Sequence, residues 1–457
     1  MLAKFKKKYI GDWDFYQKYL LLAIPMILQN AITNLVSFLD NIMVGQLGTE
    51  QMSGVAIVNQ LIFVYNLAIF GAVSAASIFG AQYFGKGNHK GHMYSFRFKL
   101  YATLLVTGGA ILLFLTKGSA LISLYLTDTV GNGATDLALQ YGLEYLAIMM
   151  VGLIPFAVNQ SYATNIKETG QTFIPMLASF VAVGTNAILD YLMIFGIGPF
   201  PELGVQGAAL ATVIARYIEA LIVVIWAHIH RGKNRYLEGA YTGFGIPLAE
   251  LKAILIKGFP LMMNEVLWAA GMTTVTQCYS VRGLNVVAGL NIASTITNLF
   301  NIVYLQLGSC ISIVVGQYLG AGKLEDAKDA DNKMIVFSVF CCVIMAALMF
   351  VVGGFFPGIY NTTEEIRELA TSFIAVSAII MPSCAFSHAS YFTLRSGGKT
   401  VVTFLFDSVF TWVIVVPAAY LLAHFTGLGI VSIYFLVQGT ELIKVIIGYL
   451  MVKSNVW

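Results

Sequence analysis

Charge is what this chain has least of: only 11% of its 457 residues are Asp, Glu, Lys or Arg, against about 25% in soluble domains. That shortage excludes an ordinary soluble enzyme or a nucleic-acid-binding module. Cysteine is sparse as well. Cys278, Cys310, Cys341, Cys342 and Cys384 all fall inside apolar runs. No pair has metal-ligand spacing, so no disulfide framework is expected and each reads as a small core residue. GxSxG, HExxH and CxxC patterns are missing. Gly80-AQYF-Gly85-Lys86 has the spacing of a phosphate-binding loop, but Gly87 stands where Ser or Thr is required. Gly398-Lys399-Thr400 lacks the upstream glycine. Hence neither a catalytic residue nor a cofactor is expected, and ATP-driven pumping is not. A signal peptide is not evident either: Lys4, Lys6, Lys7 and Lys8 lead into the polar run GDWDFYQK.

What is present is apolar length. The chain is 58% hydrophobic, and a bilayer-spanning helix needs about 20 mainly apolar residues. Twelve runs meet that need, at 20–44, 55–82, 98–116, 137–160, 172–196, 205–230, 253–281, 286–317, 334–356, 368–392, 400–423 and 428–451. Residues 117–136 are ambiguous, since Leu121 to Leu126 is too short to span and is expected at the interface. The N-terminus, every second loop and the C-terminus carry 21 of the 26 Lys and Arg residues. Basic residues stay on the cytoplasmic side, so both termini are expected there, in a multi-pass protein of the cell's inner membrane.

The chain repeats itself. Pro25 matches Pro260, Asn66 matches Asn301, and Gln82-YFGK-Gly87 matches Gln317-YLGA-Gly322, all at an offset of 235. Pro155 matches Pro382 and Gly170 matches Gly397 at an offset of 227. Six spans separate equivalent helices, so the copies share one orientation and are expected to flank a substrate cavity. The reading is an all-α integral membrane protein of twelve transmembrane helices in two parallel six-helix repeats. Residues 1–230 form an N-terminal lobe, 231–252 a cytoplasmic linker and 253–457 a C-terminal lobe.

Polar residues inside the spans are the candidate functional groups. Asn30, Thr33, Asn34, Ser37, Asp40 and Asn41 recur at helical spacing in the first span and make one polar stripe. A carboxylate in the membrane costs at least about 2.5–3.5 kcal/mol and normally faces a partner or a water-filled cavity. Asn186 and Asp190 are four apart on one face of span 5; Ala208 and Thr212 have the same spacing in span 6. Together they form a hard oxygen set that suits Na⁺, or a proton held between two acids. The alternative is a buried acid satisfied by neighbouring amides and hydroxyls.

The repeat breaks here. Asp40 maps onto Val275, while Asn30 maps onto Glu265, so one lobe is expected to carry the coupling ion. Asn34, Asn59, Asn66, Asn298 and Asn301 are candidates for cavity lining or for helix–helix hydrogen bonds. Glu265, Trp268, His388 and Asp407 are candidates for the second-lobe cavity. Arg216 and Glu219, three apart, read as an internal ion pair, and Glu441 with Lys444 as interface charges. Pro25 is a candidate hinge, because a proline inside a helix removes a hydrogen bond and permits a kink.

These segments resemble the multidrug and toxic compound extrusion (MATE) family across nearly the whole chain. The resemblance rests on IPMILQN, the run from Asp40 to Gly48, GAQYFGKG after span 2 and N-x-x-x-D in span 5. GVQGAALAT in span 6, QYLGAG after span 8 and LRSGGKT after span 10 extend it. It implies two six-helix lobes around a V-shaped cavity, exporting cationic, amphipathic compounds in exchange for H⁺ or Na⁺. The family's cation site falls on Asp40, Asn186, Asp190, Ala208 and Thr212. An acid that some relatives use in span 10 is Cys384 here. The implied partners are organic cations and the lipid bilayer, without nucleic acid, and the implied working unit is a monomer. The superfamily also contains flippases for lipid-linked sugars. Such an anionic headgroup calls for several cavity arginines, and only Arg216 lies deep in a span.

Overall fold

The computed structural model describes residues 9–126, 134–243 and 245–454. Among them the chain is helical, with no strand. The N-terminal repeat comprises α1 (Trp13–Gly45), α2 (Thr49–Gly85), α3 (His89–Ser123), α4 (Ala134–Val151), α5 (Leu153–Glu168), α6 (Phe173–Ile194) and α7 (Val205–Ile229). The C-terminal repeat comprises α8 (Leu248–Ser280), α9 (Leu284–Gly320), α10 (Leu324–Gly353), α11 (Glu364–Ser396), α12 (Thr400–Phe425) and α13 (Ile430–Lys453). Eleven of these helices are long and apolar enough to cross a membrane, and α4 with α5 supplies a twelfth span bent by 44°. The bend has a local cause. Gly152 breaks the helix and Pro155 sits in the first turn of α5, where its missing N–H costs nothing.

Several boundaries differ from the sequence reading. Helix α3 begins at His89 and runs on to Ser123, so residues 117–123 extend a span instead of lying at the interface; residues 127–133 are outside the described residues. Pro25 lies in the interior of α1, as the hinge reading requires, and Pro260 lies likewise inside α8. Helix α12 contains two π-helical turns, at Leu405–Val409 and Thr411–Val415.

The chain forms two compact units. One consists of Met1–Ala23, Ala81–Gly87 and Ala253–Trp457, the other of Ile24–Gly80 and Asn88–Lys252. The linker therefore belongs with the N-terminal helices, and α1 passes from one unit to the other just before Pro25. The cause of the linker's placement is Arg97, which donates to the carbonyls of Gly239 (2.6 Å), Gly245 (2.8 Å) and Ala240 (2.9 Å). In the C-terminal unit, Tyr19 of α1 donates to the Leu307 carbonyl at 2.9 Å.

Each unit has its own core. Val58, Ile62, Ile69, Leu146, Met149, Leu153 and Ile194 centre the N-terminal one. Val275, Ala293, Met349, Phe373, Ile374 and Met381 centre the C-terminal one. Small residues set the closest helix approaches. A Cβ on Gly207 would sit 2.6 Å from the Met193 carbonyl oxygen, so α6 and α7 pack backbone to backbone. The repeated Gln-Tyr-x-Gly segments have a related explanation. A side chain on Gly85 would strike the Gln317 carbonyl, and one on Gly320 the Gln82 carbonyl, so the two copies need glycine reciprocally. Gly87 and Gly322 then turn the chain at φ +71° and +74°, in the left-handed region that favours glycine. The phosphate-loop spacing is packing and turn chemistry.

Candidate functional site

In the N-terminal unit the acids of α1 and α6 come together. The carboxyl group of Asp40, on α1, is an electrostatic neighbour of that of Asp190, on α6. Asp190 is only 1% exposed. Asn186, one turn earlier on α6, donates to Asp190 Oδ2 at 3.0 Å and to Thr212 Oγ1 at 3.5 Å. Ala208 is buried one turn before Thr212 on α7. The helical period puts each pair on one face, and the small residues of α7 let the two faces meet. Among the described residues, no donor reaches Asp40 Oδ1 or Asp190 Oδ1, and both atoms are buried. Two neighbouring acids thus each keep one oxygen without a donor among the described residues. That is chemistry for a shared proton or a small cation, since two adjacent carboxylates cannot both stay charged cheaply.

Asn59 accepts from the Tyr145 hydroxyl at 3.3 Å. Asn66 is half-buried, with an Oδ1 that no donor reaches among the described residues. Asn34 is exposed and donates to its own helix at Asn30. The expected Arg216–Glu219 ion pair is not formed. Arg216 donates to the Gly152 carbonyl at 3.4 Å and lies 5.2 Å over the Phe156 ring, while Glu219 accepts from Ser179. Spacing of three makes neighbours on a helix; it does not choose their partners.

The C-terminal unit holds a different polar centre, organised by Asn264 of α8. Its amide donates to Asp407 Oδ2 at 3.0 Å and to the Tyr391 hydroxyl at 3.3 Å, and its carbonyl oxygen accepts from Ser408 N at 3.2 Å and Ser408 Oγ at 2.8 Å. Lys444 of α13 completes the set with an ion pair to Asp407 Oδ1 at 2.7 Å. Its ammonium also lies 5.3 Å from the Phe406 ring. Lys444 is therefore a buried partner of Asp407 and not an interface charge. The π-helical turns of α12 accompany this network, as such turns often do at functional sites. Glu265 is half-buried and takes one long contact, 3.5 Å, from the Tyr391 hydroxyl.

Of the other candidates, Trp268 is 39% exposed and Asn298 is exposed. Asn301 is half-buried. His388 has its Nδ1 3.0 Å from the Cys384 carbonyl and its ring 4.7 Å from that of Tyr304.

Sequence reasoning missed Asn264, Tyr145 and Tyr391, which carry no charge to draw notice. It also missed the buried pair Lys99–Glu168, at 2.5 Å, where Lys99 also donates to Asn165 at 2.6 Å. The signal was Lys99 inside the span at 98–116 and Glu168 shortly after the span at 137–160.

Comparison with known proteins agrees with this architecture. The MatE family model matches residues 25–192 and 260–421. The probable multidrug resistance protein NorM of Thermotoga maritima is 22% identical over 438 residues, covering 95% of this chain and 92% of that protein. The protein of that name from Halalkalibacterium halodurans is 24% identical over 413 residues, covering 90% and 88%. A transporter of the MOP superfamily from Pyrococcus furiosus, described as having a binding pocket of reversed polarity, superposes with a TM-score of 0.86 at 20% identity, covering 97% and 96%. Two repeats of membrane-spanning helices, the matched segments in both and relatives of nearly the same length converge: the chain belongs to the MatE family of multidrug efflux transporters.

Proposed function

We propose that the chain is a secondary antiporter that exports amphipathic organic cations in exchange for protons, with Asp40 and Asp190 carrying the coupling ion. One observation carries the reading: two neighbouring acids, Asp40 half-buried and Asp190 buried, each with a buried oxygen that no donor reaches among the described residues. A single proton between them satisfies both oxygens and removes the like-charge repulsion. Asn186 then orients Asp190, Thr212 supplies a further oxygen, and Ala208 keeps α7 close. Cationic cargo follows from the acids of the polar stripes and from Arg216, whose guanidinium is occupied by the Gly152 carbonyl and Phe156. A flippase for an anionic headgroup is disfavoured on the same ground.

In this reading Glu265 serves cargo in the second repeat, where Asp407 is already committed to Lys444 and Asn264. Cytoplasmic termini, an inner-membrane location and a monomeric working unit complete it. Pro25 is the hinge at which the acid-bearing part of α1, about 22 Å long at 1.5 Å per residue, tilts relative to its base. The test is uptake of ethidium into inside-out proteoliposomes under an imposed pH or Na⁺ gradient. A pH gradient alone should drive it. Dependence on Na⁺ without pH would replace the proton by sodium at the same acids, and no uptake under either gradient would overturn the reading.

A further inference from the structure

The two copies differ at the ends of the helices α3 and α10. In the N-terminal unit, Phe96 of α3 is fully buried, 4.9 Å from the Tyr162 ring and 5.2 Å from the Tyr236 ring. Tyr236, Leu237 and Ala240 of the linker close that corner as part of one apolar cluster. At the repeat offset of 235, the counterpart of Phe96 is Asp331 of α10. Here the corner holds a cavity of about 430 Å³, within the range of small-molecule sites.

Asp331 lines this cavity and is 1% exposed. Its Oδ1 accepts from Thr393 Oγ1 at 2.6 Å. Its Oδ2 is buried, and no donor reaches it among the described residues. The lining charges nearby are already used: Glu325 pairs with Lys328 at 3.2 Å, and Asp329 pairs with Lys333. Lys453 lies over the Tyr449 ring, 5.5 Å from its centroid. The wall also includes Tyr9, Asn332, Phe386, Tyr449 and the aliphatic Ile335 and Val336.

One unsatisfied carboxylate oxygen beside aromatic and aliphatic walls selects a particular kind of ligand. A hard divalent ion wants six or more oxygens, and among the described residues no three His, Cys, Asp or Glu are grouped to hold a metal. An anion would meet the buried carboxylate. A bulky monocation gains both the counter-charge and the aromatic faces.

We propose that this cavity binds an amphipathic organic monocation, with Asp331 as counter-charge and Phe386 and Tyr449 as aromatic walls. If the turn before α10 is cytoplasmic, the site faces the side from which an exporter collects cargo; that clause rests on the proposed function, while the binding site does not.

The test uses the full chain in detergent and a photoactivatable aryl azide bearing a triphenylphosphonium group, beside its neutral triphenylmethyl counterpart. Labelled peptides are mapped. The cationic probe should label the segments around Phe386 and Tyr449, and tetraphenylphosphonium should compete. Asp331→Asn, which keeps an acceptor for Thr393, should lower that labelling at least about tenfold, as loss of a close charge pair does. Phe386→Ala should lower it about threefold to tenfold, and serves as the second variant if Asp331→Asn does not elute as a folded monodisperse protein. Equal labelling by the neutral probe, or undiminished labelling in both variants, overturns the site. Labelling that follows Asp331 in a protein that transports no cation keeps the site and removes the exporter reading. Cation transport without labelling here does the reverse.

Discussion

The two six-helix repeats solve one problem, acids inside a membrane protein, in opposite ways. In the N-terminal unit Asp40 and Asp190 are neighbours with an amide and a hydroxyl nearby, and among the described residues no lysine or arginine is bonded to either. In the C-terminal unit Asp407 has a buried lysine at 2.7 Å and an asparagine at 3.0 Å. An acid held by a fixed lysine has its counter-ion built in. An acid facing another acid must borrow one, and what is borrowed can be exchanged. The difference marks a structural charge off from the proposed coupling site.

The comparison breaks most readily at Asp407. Asp407→Asn should strip Lys444 of its partner and destabilise the protein by about 3–5 kcal/mol, the usual result of breaking a buried pair from one side. Adding Lys444→Met should recover most of that loss. Thermal unfolding in detergent reads both. Asp40→Asn should leave the melting temperature unchanged or raised, because it removes a repulsion. Equal destabilisation by Asp407→Asn and Asp40→Asn would erase the distinction between the repeats.

A smaller effect is expected at Glu265, the acid that the C-terminal repeat has where the N-terminal one has Asn30. Glu265→Gln should weaken tetraphenylphosphonium binding by about threefold to tenfold, the scale of one partly solvated charge contact, and leave proton binding intact. Equilibrium dialysis checks the first and pH-jump titration the second. Loss of proton binding with cargo affinity spared would reverse the roles of the two repeats.

The smallest energetic effect concerns the matched prolines. Pro25 sits where α1 passes from one compact unit to the other, whereas Pro260 lies in a helix contained in one unit from Ala253 onward. Pro25→Ala should therefore suppress proton-dependent distance changes between spin labels on α1 and α6, with little change in stability. Pro260→Ala should leave those distances alone. If both variants behave as wild type, the hinge is lost while the acid pair stands.

Much of this was legible in the sequence, and for identifiable reasons. Apolar length fixes spans, and a constant offset reveals a repeat. Helical spacing put Asn186 and Asp190 on one face, and the structure brings Asp40 to that face. What spacing could not supply was the partner across helices. Lys444 and Asp407 lie 37 residues apart on α13 and α12; Asp407 read as a cavity candidate, and Lys444 with Glu441 as interface charges. Arg216 and Glu219 misled in the other direction, being near in sequence yet bonded elsewhere. Asp331 hid among the acids that start α10, although its neighbours carry lysine partners and its own Oδ2 is without a donor among the described residues.

The central claim is that one exchangeable ion belongs to Asp40 and Asp190 jointly. Cargo and proton then exclude each other, and linkage requires each to displace the other. Proton release on binding tetraphenylphosphonium, followed with an indicator dye in weakly buffered solution, measures this directly. Wild-type protein should release about one proton per bound cation, and Asp40→Asn and Asp190→Asn should each release almost none. Full release from either variant would contradict the account.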